Sequence, residues 1–129
     1  MTHEDKNLLL KDLCARLPYG VIAYASEINK NGIITDVNTS YNMVNLTVDN
    51  ADGKYELVPL FDIKPYLRPM SSMTEEERQD FAYYVAHGNN SVALDFVDWC
   101  NAHHFDYRGL IKKGLALEAP EGMYKTEEK

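Results

Sequence analysis

Hydrophobic residues recur with a helical period near each end of the chain and with a strand-like period between. Over residues 3–17, Leu9, Leu10, Leu13 and Leu17 fall on one stripe, with Cys14 beside it. Thr2 is placed to cap this helix, with Asp5 three residues on, and Pro18 and Gly20 to stop it. From residue 21 to 60 β-branched and aromatic residues take over. Residues 21–26, 33–38, 43–48 and 54–60 read as strands, and Val44, Leu46 and Val48 alternate with Asn45 and Thr47. Asn31-Gly32 and Asp52-Gly53 read as the tight turns, because these residue types tolerate positive φ. Pro59 suits an edge or strand end. Short strands joined by tight turns predict an antiparallel meander.

Residues 61–73 read as a rigid apolar strap, since Pro65 and Pro69 donate no backbone hydrogen bond. Helical spacing returns at residue 74. Thr74 and Glu77 make a capping box, and Phe81, Tyr84 and Val85 form the apolar face of a helix that Gly88 ends. Asn90 or Ser91 caps a third helix with Val92, Phe96, Trp99, Cys100 and His103 on one side and Leu94 and Val97 widening it. Asp106 caps a fourth, carrying Leu110 and Ile111 and stopped by Gly114. Beyond Pro120 the pattern fades into a frayed tail.

The predicted fold is therefore α+β and a single domain. Residues 1–19 are an N-terminal helix, 20–69 a small antiparallel sheet of four or five strands, 70–118 three helices and 119–129 the tail. Phe96 and Trp99 are expected near the centre of the core. A length of 129 residues suits one domain and one core. Composition narrows the class further. Apolar residues make up 45 % and charged ones 26 %, which excludes a wholly disordered chain. No run approaches a membrane span and no signal-peptide pattern opens the chain, so the expected location is cytoplasmic, with no membrane partner. Cys14 and Cys100 read as two reduced, buried thiols.

Charge alters the list of partners. The net of −7 is unevenly spread. Residues 1–20 balance at three acids and three bases, residues 21–69 hold six acids against four bases, and residues 70–129 hold eleven against six. Bulk charge thus disfavours nucleic acid. The strand region is less hostile, since Lys54, Lys64 and Arg68 lie near Tyr55, Phe61 and Tyr66, and aromatics beside cations stack bases. Tyr55, Lys64, Tyr66 and Arg68 form the candidate binding set.

Motifs for chemistry are sparse. Asp95, Asp98, Cys100, His103, His104 and Asp106 crowd together, but helical geometry lets Cys100 share a face with only one His at a time. The bland reading has His103 at a helix end, beside the negative pole of its dipole, and His104 exposed. No nucleophile elbow and no phosphate-binding glycine loop occurs, so no catalytic residue, metal or cofactor is assigned.

Two resemblances enter here. The runs at residues 62–77 (DIKPYLRPMSSMTEEE) and 104–116 (HFDYRGLIKKGLA) resemble a family of uncharacterised small proteins from phages and mobile elements of gut bacteria. That resemblance implies an accessory protein and carries no activity. The strand order of residues 20–66, closing on residues 60–65 (LFDIKP), resembles a partly closed SH3-like barrel. The leading expectation is a non-enzymatic protein-interaction module that engages a protein through its acidic helical half or its tyrosine-rich strand face, because nine tyrosines and a net charge of −7 accompany the absence of catalytic motifs. The alternatives are a nucleic-acid-associated regulator using the barrel face, and a small hydrolase or metal-binding protein.

Overall fold

The computed structural model describes residues 1–49, 54–86 and 90–124. It is mixed α+β, with one open six-stranded sheet and three helices. The first helix, α1 (His3–Arg16), is capped by Thr2, whose hydroxyl accepts from the Asp5 N–H at 3.0 Å. A 3₁₀ turn at Leu17–Tyr19 follows, and Gly20 at φ 71° reverses the chain. Leu9 and Leu13, one helical turn apart, are fully buried. Each contributes roughly 1.5–3 kcal/mol by leaving water.

The strands are β1 (Ile22–Ala25), β2 (Lys30–Asn38), β3 (Met43–Asp49), β4 (Lys54–Pro59), β5 (Ile63–Leu67) and β6 (Leu117–Glu118), in the order β4-β3-β2-β1-β5-β6. All neighbours are antiparallel except β5 and β6. Because β4 and β6 form the edges, the sheet is open and does not close into a barrel of the SH3-like kind that residues 20–66 resemble. Pro65 is tolerated in β5 because β6 pairs only with Tyr66 and Leu67, so its missing N–H faces no strand.

The Asn31-Gly32 pair is not a turn. It lies inside β2, and the chain reverses at residues 26–29, where Asn29 takes φ 52°. Gly32 is required there for space, since a Cβ would sit 2.7 Å from the Thr47 carbonyl oxygen and 2.8 Å from Leu46 Cγ. The Asp52-Gly53 signal lies outside the described residues.

Helix α2 (Glu75–Ala86) opens on the expected capping box, with Thr74 N–H to Glu77 Oε1 at 2.9 Å and Glu77 N–H to Thr74 Oγ1 at 3.2 Å. Its Val85 is exposed, contrary to expectation. Helix α3 (Asn90–Ala102) follows; Gly88 and the side chains of Val92 and Leu94 lie outside the described residues. Residues 106–114 form a loop and not the predicted fourth helix. Asp106 accepts from the N–H groups of Leu110 and Ile111, but Gly109 and Gly114 take φ 75° and 78° and break any helical run.

Two packing regions result. The core is aliphatic: Leu9, Leu13, Val21, Ala23, Ile34, Val44, Leu46, Leu60, Ile63 and Leu67, joined by Leu110 and Leu115. It fills the sheet face covered by α1 and the 110–116 loop. Phe96 and Trp99 are not at its centre. They form a separate aromatic cluster with Phe81, Tyr84, His103 and Phe105, at ring separations of 4.7–6.0 Å.

Candidate functional site

Strand pairing decides which predicted residues meet. Tyr55 pairs with Thr47, and Lys64 pairs with Tyr24, all on the sheet face opposite the aliphatic core. Tyr66 shares that face, two residues along β5 from Lys64. However, four strand spacings separate β4 from β5, or roughly 19 Å. Lys64 and Tyr66 are neighbours; Tyr55 stands at the far edge. Tyr66 donates its hydroxyl hydrogen to Asn31 Oδ1 at 3.0 Å.

This outer face is exposed at its β4 edge, and Ile22, Tyr24, Ile33, Met43 and Tyr66 on the rest of it are half-buried. Ile22, Tyr24, Ile33, Met43, Tyr55, Leu57 and Tyr66 project from it, among amides and hydroxyls of Asn31, Asn45 and Thr47. Tyr55 and Leu57 are 61 % and 64 % exposed. Across the paired positions of β1 to β5, Asp36 and Lys64 are the only charged side chains on this face among the described residues. Glu56, opposite Leu46, projects from the other face of edge strand β4. An inward charge of this kind, with Lys54 and Pro59 at the strand ends, discourages edge-to-edge strand addition. The face, more than the edge, is left available.

Arg68 takes no part in the face. Just past β5, its backbone N–H donates to the His104 carbonyl at 2.7 Å and its carbonyl accepts from the Asp106 N–H at 2.8 Å. Its guanidinium grips Glu77 through two bonds, at 2.7 and 2.9 Å, and lies 4.3 Å from the Phe105 ring centroid. Glu77 Oε2 also meets His103 Nδ1 at 3.1 Å. Burial, the largest single influence, pushes the Glu77 carboxyl up. The Arg68 hydrogen bond, the Thr74 N–H and the charges of Arg68 and His103 together outweigh it and hold the group down at about 2. Glu77 thus serves as helix cap, ion-pair partner and histidine acceptor at once.

Beside this hub lies a cleft of about 350 Å³, lined by Tyr19, Gly20, Arg68, Ala102, His103, His104, Met123 and Tyr124. His104 is largely buried, not exposed as expected. It takes φ 64° and stacks on Tyr124 at 3.7 Å and 12° between planes. Burial first, then the charges of Arg16, Arg68 and His103, push its imidazole down to about 4. Tyr124 is not part of a frayed tail. Its hydroxyl accepts from the Ile22 N–H at 2.7 Å and reaches the Tyr66 carbonyl at 2.9 Å, bridging β1 and β5. Burial pushes its phenol well up. Residues 125–129 lie outside the described residues.

Behind the cleft, α1 carries a second buried ion group. Arg16 and Asp12 are fully buried and meet at 2.7 Å, and Arg108 reaches the other Asp12 oxygen at 3.1 Å. Arg16 Nη2 donates to the Phe105 carbonyl at 2.6 Å, while Nη1 is buried without a partner. One carboxylate therefore faces two guanidiniums. The i, i+4 spacing of Asp12 and Arg16 was a visible signal for the pair.

The thiols are free and differ. Cys14 is exposed, against expectation, while Cys100 is buried and pushed up to about 11 by burial, which the Arg16 charge partly opposes. Among the described residues no group of three or more His, Cys, Asp or Glu side chains is placed to hold a metal ion. Among them, too, no helix is long and apolar enough to cross a membrane. No family model, curated protein or solved structure matches the chain.

Proposed function

We propose that this protein is a non-enzymatic interaction module that docks another protein on the outer face of its sheet. One observation carries the reading: in a chain with 26 % charged residues, that face holds two charges among the described residues and a run of aromatic and aliphatic side chains. Interface cores show the same depletion of charge and enrichment in Tyr. The matching partner surface is uncharged and apolar at its centre. The resemblance to accessory proteins of phages and mobile elements is compatible with such a role. Nucleic-acid binding has less support, because Arg68 is committed to Glu77 and Lys64 is left as the only cation on the face among the described residues. A photo-crosslinking residue in place of Leu57 or Tyr66, in cells that naturally express the chain, is expected to trap one discrete protein adduct. The same residue in place of Gln79 on α2 should not trap it. Equal labelling from all three positions, or adducts to nucleic acid alone, would overturn the reading.

A further inference from the structure

The geometry points to the cleft between α3 and the C-terminal segment as a binding site for a small oxyanionic group, a carboxylate or a phosphate. Its lining includes Tyr19, Arg68, Ala102, His103, His104 and Tyr124, and no carboxylate among the described residues. Glu77, the acid in contact with this lining, has both oxygens committed, to Arg68 and to His103. The α3 C-terminus would oppose an anion, but the carbonyls of Trp99, Cys100 and Asn101 already accept from residues 103–105. Arg16, which donates to the Phe105 carbonyl next to His104, shares Asp12 with Arg108 as their one acidic partner among the described residues, which leaves one positive charge in surplus. The groups acting on His104 agree, since the Arg16 and Arg68 guanidiniums, both cationic, are felt there. A chain of net −7 thus builds a locally positive recess. At about 350 Å³ it has room for a small ligand or the headgroup of a larger one. Tyr19 and His103 stand at 38 % and 28 % exposure and supply accessible polar atoms.

The test uses the intact protein, with backbone amide spectra recorded during titration with sodium phosphate, sodium acetate and, as control, sodium chloride at matched ionic strength. Saturable shifts at Gly20, Ala102 and His103 are expected with phosphate or acetate and not with chloride, and the anion that saturates first names the ligand class. Ala102→Asp places a carboxylate on an exposed rim position and should weaken binding at least about tenfold. Gln79→Glu adds the same charge away from the cleft and should leave it unchanged. Non-saturable shifts shared with chloride, or full binding by A102D, would overturn the proposal. Neither outcome bears on docking at the sheet face.

Discussion

Glu77→Gln isolates the charge of the central carboxylate. Glutamine still serves the capping box at the third helical position, so the helix start is kept. What is lost is the negative charge between Arg68 and His103, at a side chain only 9 % exposed. With the folded group at about 2 against the ordinary 4.5, the charge contributes about 3 kcal/mol at neutral pH. The sign follows from the depressed folded value. This stability is in place above pH 4.5 and drains away as pH falls toward 2. At pH 3 the same two values leave about 1.4 kcal/mol. Urea denaturation of both proteins at pH 7, 5 and 3 should therefore show a gap of about 3 kcal/mol that narrows by about half at pH 3. A gap that stays constant with pH, or one under about 1 kcal/mol at pH 7, would refute the electrostatic account.

Other substitutions probe the remaining contacts. Because the imidazole of His104 is pushed down to about 4 from 6.5, wild type should lose stability as pH falls between those values. His104→Asn, which tolerates the positive φ, should flatten that part of a melting-temperature profile. Tyr124→Phe leaves the Ile22 N–H and the Tyr66 carbonyl unbridged, and should cost about 1–3 kcal/mol in chemical denaturation. Gly32→Ala drives a methyl into the Thr47 backbone oxygen and should cost about 1–3 kcal/mol. A disulfide exchange reagent should modify Cys14 promptly and Cys100 only on unfolding, so native protein releases one equivalent of chromophore and denatured protein two.

What could be read in advance was local, and what escaped was tertiary. The capping box at Thr74 and Glu77 formed as its spacing required. Nothing in that spacing indicates that Arg68 and His103 would claim the same carboxylate. The alternation at residues 43–48 became a real strand, since one of its faces lies on the core. At Asn31-Gly32 a turn and a crowded strand both demand glycine, and only the register of β2 on β3 decides between them. Residues 106–114 carried a cap and a stop. Two apolar residues, Leu110 and Ile111, were too few to hold a helix against Gly109. Tyr124 sits in a polar stretch with no period, so its place between β1 and β5 left no mark on the sequence. In the candidate set, Lys64 and Tyr66 kept their predicted proximity because they share a strand face. Tyr55 and Arg68 lost theirs, one to strand order and the other to an ion pair.

The placement of charge connects these outcomes. Arginine is expensive to bury alone, and Arg16 and Arg68 reach low exposure only by holding Asp12 and Glu77. Each carboxylate is then shared with a second partner, Arg108 or His103, so the interior pairs consume base faster than acid. The acids that give the chain its negative total lie elsewhere, many on the solvated helices, while the outer sheet face keeps almost none. Salt should therefore act differently on the two surfaces. A partner held on the sheet face by apolar contact is little affected by screening, whereas an oxyanion in the cleft competes with every added anion. The two proposed sites thus differ in the interaction that would hold each ligand, as well as in location.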